Sequence, residues 1–430
     1  MLSLASMTPF SFPDNFQFGA AMAGYQVEGN CQNTNIWQDE HERPKNYPQK
    51  SGSSCNHWEM YKEDIDLFGR LEWQVLRTSF EWARVEPEQG VHDEDALKRY
   101  LDMLERLAAK GVKVSLTLHH WSHPLWFEKL GGFHKRENIK YFIDYIDYLV
   151  PKIKDYIDSW NILNEFTNYG SSQTTFDYMK NLTVAHAYGY HAVKKYSDRP
   201  VSSTHAMLPM FPHNPCEPLD RVTAQLRDWA TNEYFIHAMT TGEMLLPYMD
   251  GEYIPELKDS FDYWAITYYT RHFASAKTTA MTGKRYPHNQ VRMVDWPFYH
   301  EEFYPDGFVD TLPRFKGKPI AICENGVCAD DDRFRIVYIA QYLSALHEAM
   351  KMGCDVRAYM HWTAMDNWEW GSFLPRFGLI GVDFESKERT VKPSALFYRD
   401  IIRNHGITAE IIDKWIKPIC DFKAYPVENA

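Results

Sequence analysis

Residues 158–166 read DSWNILNEF, and residues 319–326 read PIAICENG. Each is a short apolar run that delivers a carboxylate at its end, Asn164-Glu165 in the first and Glu324-Asn325 in the second. Runs of this length and composition predict buried β-strands. The same grammar recurs along the chain: FQFGAAMAG from Phe16, QVLRTSFEW from Gln74, KVSLTLHHW from Lys113, PVSSTHAML from Pro200, DYWAITYYT from Asp262 and DVRAYMHWT from Asp355. Between the runs lie segments such as DEDALKRYLDMLERLAAKG from Asp93 and RIVYIAQYLSALHEAMKMG from Arg335. Their apolar residues recur at three- and four-residue spacing, and a Gly stands where a helix would stop. Strand alternating with helix eight times predicts an α/β fold, a (β/α)8 TIM barrel. The competing doubly wound sheet wants a Gly-rich phosphate turn after its first strand, and GAAMAG (19–24) keeps only the outer glycines of GxGxxG.

No Pro/Gly/Ser linker, charge run or low-complexity tract interrupts the pattern, so residues 1–430 read as a single domain. Stretches at about 31–57, 209–232 and 272–303, rich in Pro, Asn, His and Gly, read as long loops after strands. Apolar residues make up 44% and charged residues 24%, the balance of a soluble globular protein, and no run is long enough to predict a membrane helix. A net charge of −12 argues against nucleic acid as a partner. Aromatic residues at 15% exceed ordinary core needs; flat faces for sugar rings and an aromatic-rich core both fit. Seven scattered cysteines form no CxxC pair, which predicts reduced thiols and a cytoplasmic location, and Cys323 and Cys328 read as buried thiols. The N-terminus MLSLASMTPFSF carries no secretory pattern. Asn181-Leu182-Thr183 matches a glycosylation acceptor, as one triplet in a chain of this size does by chance.

In a barrel, chemistry gathers at the C-terminal strand ends, where Glu165 and Glu324 fall. A carboxylate ending a buried strand is expensive to desolvate unless it is partnered. Two aimed at one mouth make an acid/base and nucleophile pair; the bland alternative is that each caps a strand beside a Lys or Arg. His119, His120 and His123 cluster at the end of the third run and raise a second reading, a metal-dependent barrel hydrolase. Adjacent strand residues face opposite ways, and neither HxH nor HExxH occurs, so the expectation is no metal.

At this point the chain resembles glycoside hydrolase family 1, the β-glucosidase family. The resemblance rests on FQFGAAMAGYQVEG (16–29), NHWEMYKEDIDLF (56–68) leading into LRTSFEWARVEP (76–87), LTLHHW (116–121), Asn164-Glu165, ITYYT (266–270), Glu324-Asn325-Gly326 and HWTAMDNWEWGSFLPRFGLIGVDF (361–384). These stand in family order from Phe16 to Phe384. The resemblance implies a retaining exo-β-glycosidase, β-glucosidase first among the candidates, working on a small-molecule glycoside with no cofactor and no membrane partner. It implies Glu165 as general acid/base and Glu324 as nucleophile, with Arg77 and Tyr269 holding Glu324. Gln26, His120, Asn164, Glu369 and Trp370 would grip sugar hydroxyls, Asn164 the 2-OH; Trp362 would lie under the ring, with Trp121 and Phe377 as wall.

Relatives acting on 6-phosphorylated sugars show a Ser…Lys-x-Tyr clamp past this last motif. Here that stretch reads Pro375-Arg376-Phe377, and Glu369 would repel a phosphate, so an unphosphorylated sugar is implied. Three positions depart from the family pattern. Phe166 replaces the Pro after Asn-Glu, which would turn Phe166 or Asn168 toward the leaving group. Thr267 stands for the Asn before the strand-six Tyr pair, altering a hydrogen bond near the catalytic pair. Ile162 replaces a Thr two residues before Asn164. A catalytically silent sugar-binding barrel is the third reading; it would be favoured by loss of either Glu, and both are present. Glycone preference and oligomeric state stay open.

Overall fold

The structure is a computed structural model and describes residues 4–168, 173–277, 290–292 and 300–420. All eight runs form strands: β1 (Gln17–Ala21), β2 (Val75–Ser79), β3 (Lys113–His119), β4 (Ser159–Asn164), β5 (Val201–Met207), β6 (Trp264–Tyr268), β7 (Ile320–Asn325) and β8 (Val356–Trp362). They pair in parallel in chain order and close, β8 onto β1, into a barrel. Both faces of the strands are covered, which is why the runs read as continuous apolar stretches and not as an alternation.

The two quoted helical segments form Glu94–Ala109 and Asp332–Lys351. The Asp93 carboxylate accepts from the Asp95 and Ala96 amides at 2.9 Å each, and the Asp331 carboxylate accepts from the Arg333 amide at 3.0 Å. Gly111 and Gly353 follow them at φ +73° and +97°, backbone angles that suit glycine.

The stretches read as long loops contain regular structure. Helix Asn35–Glu42 lies in the first, capped by Thr34 Oγ1 accepting from the Trp37 amide at 3.1 Å. Helix Pro218–Asp228 lies in the second, with Pro218 in its first turn. The third holds short strands His272–Ala274, Gln290–Arg292 and His300–Glu302; residues 278–289 and 293–299 of it lie outside the described residues, as do residues 1–3 of the N-terminal pattern. Polar composition concealed both helices, whose start signals were local.

The aromatic surplus is mostly core: Trp73, Trp82, Trp160, Trp264 and Trp368 are fully buried. Asn181 is buried too. Its amide donates to the main-chain carbonyls of Phe133 and His134 at 2.9 and 3.2 Å, so the folded chain does not offer that triplet to a glycosyltransferase. Among the described residues, no helix is long and apolar enough to cross a membrane.

Candidate active site

The C-terminal strand ends enclose a cavity of about 340 Å³. Three of the strands that build it carry irregular register. β4 slips against β5 between Asn161 and Asn164, β6 against β7 between Ile266 and Thr267, and β7 against β8 between Ile322 and Asn325. Such breaks re-aim side chains that strict alternation would turn to the wrong face. Three cavity residues, Trp121, Glu165 and Trp370, hold left-handed φ values of +66°, +47° and +44°. Each costs about 1–3 kcal/mol and persists only where the surroundings enforce it. The Glu165 amide donates to the Thr204 carbonyl at 2.8 Å, and Trp121 Nε1 donates to the Asn164 carbonyl at 3.0 Å. Gly326 has a different reason: a Cβ there would sit 1.7 Å from the Trp362 carbonyl oxygen.

Glu165, Glu324, Tyr269, Asn164, Gln26, His120, Trp121, Trp362, Glu369, Trp370 and Phe377 all line this one cavity. Arg77 lies beneath it, fully buried. Its guanidinium donates to Glu324 Oε1, to Asn164 Oδ1 and, at 3.0 Å, to Thr204 Oγ1. Burial works most strongly against its charge, but the Glu324 carboxylate and the other neighbouring groups together outweigh that and leave it firmly protonated. Tyr269 OH donates to Glu324 Oε2 at 2.7 Å; burial first, then Glu324, raises its phenol so that it stays a donor. Both oxygens of Glu324 thus receive strong donors, one of them charged. The cation beside Glu324 is buried and inside the barrel, not a surface cap.

Glu165 has a different environment. It is buried, and desolvation first and the Glu324 charge second push its carboxyl up to about 7. Its Oε1 accepts from Thr267 Oγ1 at 2.6 Å. Two carboxyls in one cavity are therefore separated in character by their surroundings.

The remaining polar groups interlock. Asn164 Oδ1 is taken by Arg77, which fixes the amide so that Nδ2 donates to His120 Nε2 at 3.1 Å. His120 is held neutral by burial and then by Arg77, so the other ring nitrogen, Nδ1, carries the proton; it is buried and meets no acceptor among the described residues. Gln26 Nε2 lies 3.0–3.1 Å from Asn367 Oδ1, the Trp368 carbonyl and Glu369 Oε2, while its Oε1 is buried without a donor among the described residues. Trp362 Nε1 donates to Glu369 Oε1 at 3.1 Å. The cavity thus offers a directed donor and a directed acceptor beside indole faces, the lining a polyol ring requires.

Two alternatives that the sequence left open narrow. Phe166 does not face the cavity. It is buried, with its ring stacked on His186 and tilted against Phe235 at centroid distances of 6.1 and 5.6 Å, and Asn168 lines the cavity instead. The histidines do not act together either. His119 Nε2 lies 3.2 Å from His123 Nδ1, and His123 Nε2 lies 2.9 Å from Glu128 Oε2; of the three, His120 alone lines the cavity. Among the described residues no group of three His, Cys, Asp or Glu side chains is arranged to hold a metal. Sequence reading missed the lining residues Ala206 and Met207 at the end of β5, Leu208 just after it, and Thr270 and His272 after β6. Their position at strand ends was the available signal.

A β-glycosidase from Pyrococcus horikoshii superposes with a TM-score of 0.87 at 31% identity, over 96% of this chain and 99% of that one. A β-galactosidase from Sulfolobus acidocaldarius is 26% identical over 93% of this chain and 97% of its own length. A 6-phospho-β-galactosidase from Staphylococcus epidermidis is 27% identical over 92% and 99%. The profile of glycosyl hydrolase family 1 runs from residue 8 to residue 407, through every strand of the barrel. With its barrel and its sequence matched over nearly their whole length, the chain belongs to glycosyl hydrolase family 1 and is a glycoside hydrolase.

Proposed function

We propose that this glycoside hydrolase is a retaining exo-β-glycosidase, foremost a β-glucosidase, that removes an unphosphorylated sugar from the non-reducing end of a small glycoside. Galactosides and fucosides fall within its range. The observation that carries the reading is the unlike treatment of the two carboxyls: Glu324 held between the charged Arg77 and Tyr269, Glu165 buried with only neutral hydrogen-bond partners, Thr267 and Asn168.

Glu324 is the nucleophile. Its two donors fix the carboxylate geometry for attack on the anomeric carbon. Glu165, pushed up to about 7, starts protonated and donates to the leaving oxygen. When Glu324 becomes an ester its negative charge disappears, and with it one of the causes that raise Glu165. Glu165 then releases its proton more readily and serves as base toward water. The chemistry is acid–base and covalent, and it draws on no cofactor. Asn164, His120 and Gln26 bind ring hydroxyls, Glu369 and Trp370 complete that grip, and Trp362 supports the ring with Trp121 and Phe377 beside it. Arg376 supports the choice of an unphosphorylated sugar: it donates to the Val382 carbonyl at 3.0 Å and lies over the Phe384 ring, outside the cavity lining. The free cysteines, four of them buried, fit a reducing cytoplasm.

The test is a panel of nitrophenyl glycosides with EDTA present, followed by two variants. Glu324→Gly should abolish turnover of the aryl β-glucoside, and azide should restore it with inverted product. Glu165→Ala should be rescued with retained configuration. A rate loss under a hundredfold in both variants would refute the assigned roles.

A further inference from the structure

Thr267 occupies a place where the family carries Asn, and its hydroxyl sits between two acceptors. Oγ1 lies 2.6 Å from Glu165 Oε1 and 3.4 Å from the main-chain carbonyl of His205, the second a long contact. The β6/β7 register shifts between Ile266 and Thr267, immediately before this contact. Both Thr267 and Glu165 are buried, so the contact is shielded from competing water.

We propose that Thr267 is a positioning residue for the acid/base Glu165, holding Oε1 by donating to it when the carboxyl is ionised and by accepting from it, with its own proton turned to the His205 carbonyl, when the carboxyl is neutral. This rests on the acid/base reading of Glu165 above. A hydroxyl is both donor and acceptor on one rotor, whereas an amide NH₂ only donates. Such a rotor can follow the group through both halves of a double displacement, first acid and then base.

Other groups face Glu165 and must be separated from this effect. Glu324 from β7 raises it, while Arg77 from β2 and the Asn168 side chain lower it. Tyr269 stays protonated beside Glu324. His205, whose carbonyl takes part, has its ring stacked on Phe235 at 4.4 Å and is pulled down to about 3 by burial, so it stays neutral across the working range. Thr267 acts in the lowering direction on Glu165, as a donor to a carboxylate does.

The experiment is the pH profile of kcat/KM on nitrophenyl β-glucoside and on an alkyl β-glucoside, whose poorer leaving group needs the proton more. Thr267→Val keeps shape and removes the hydroxyl; Thr267→Ala is the second such variant, and Thr267→Ser restores the group. The basic limb should move up by about one pH unit in Val and Ala and return in Ser, the size expected for one hydrogen bond to an ionised group. At pH 6 the alkyl glucoside should lose about tenfold in kcat in Val and Ala while the nitrophenyl substrate loses less. A lowered melting temperature with the limb unmoved would make Thr267 merely structural and overturn the proposal. Glu165→Gln separates the two levels. If the parent's basic limb survives that change on the nitrophenyl substrate, the acid/base reading has failed; if it vanishes while the Thr267 variants keep the parent limb, only the present inference has.

Discussion

Replacing Glu165 by Gln should stabilise the fold, and only above the acid range. The buried carboxyl ionises near 7 in the folded chain against an ordinary 4.5. At about 1.36 kcal/mol per pH unit, that displacement corresponds to about 3 kcal/mol lost to ionising Glu165 in place. The sign follows from proton counts. Between pH 4.5 and 7 the unfolded chain has released this proton and the folded one has kept it, so stability falls as pH rises through that window and levels off above it. Gln keeps the shape and an oxygen to accept from Thr267, but it never ionises. The variant should therefore match the parent near pH 4 and exceed it by up to about 3 kcal/mol at pH 8. With about 2.1 cal/mol/K of unfolding entropy per residue, a chain of 430 residues converts this into about 3 °C of Tm. Paired calorimetric scans at pH 4, 6 and 8 measure it, the parent cancelling every other titration. A Tm difference that does not change with pH, or a Gln variant less stable than the parent at pH 8, would refute the account of how Glu165 is poised.

Two further outcomes test the neighbours. Tyr269→Phe removes the 2.7 Å donor to Glu324; at about 1.5–3 kcal/mol for a hydrogen bond to a charged group, kcat/KM should fall about 10–150-fold with the fold intact by circular dichroism. Phe166→Ala should cost about 3–5 kcal/mol in urea unfolding, as for a large buried aromatic, yet leave KM for the nitrophenyl glucoside unchanged, because the ring packs on His186 and Phe235 and does not line the cavity.

The barrel was legible because its eight strands are buried on both faces and each ends abruptly in polar residues; Asn164-Glu165 and Glu324-Asn325 marked the mouth before any coordinates. The direction of Phe166 was not legible. Alternation along a strand predicts where a side chain points only while the strand continues, and at Glu165 the backbone turns to φ +47°, so the next ring drops into the core. A hydrogen bond from Thr267 near the catalytic pair was expected, but which carboxyl it reaches was not legible, because the strand's register shifts next to it. Helices Asn35–Glu42 and Pro218–Asp228 were missed because their polar composition outweighed local start signals in Thr34 and Pro218. Aromatic content misled in the other direction: five of the fourteen tryptophans are fully buried core, and only the placement of Trp121, Trp362 and Trp370 at the cavity singles those three out for the proposed sugar platform.

The departures from the family pattern are not scattered. Ile162 and Phe166 flank Asn164-Glu165 on and just after β4, and Thr267 touches Glu165 from β6. On the other side of the cavity, Arg77 and Tyr269 hold Glu324 as the family resemblance implies, and Gln26, His120, Asn164, Glu369 and Trp370, which that resemblance assigns to the sugar, line the cavity. On the proposed reading, formation of the glycosyl ester and grip on the glycone depend on that second set, and proton delivery to the leaving group and activation of water depend on Glu165. A change confined to the surroundings of Glu165 therefore leaves the choice of sugar to residues shared with relatives. If the proposed roles hold, what sets this chain apart should fall on the leaving group it tolerates and on the basic limb of its pH profile. Asn168, on the turn that Phe166 anchors, places the aglycone contacts on the same altered side.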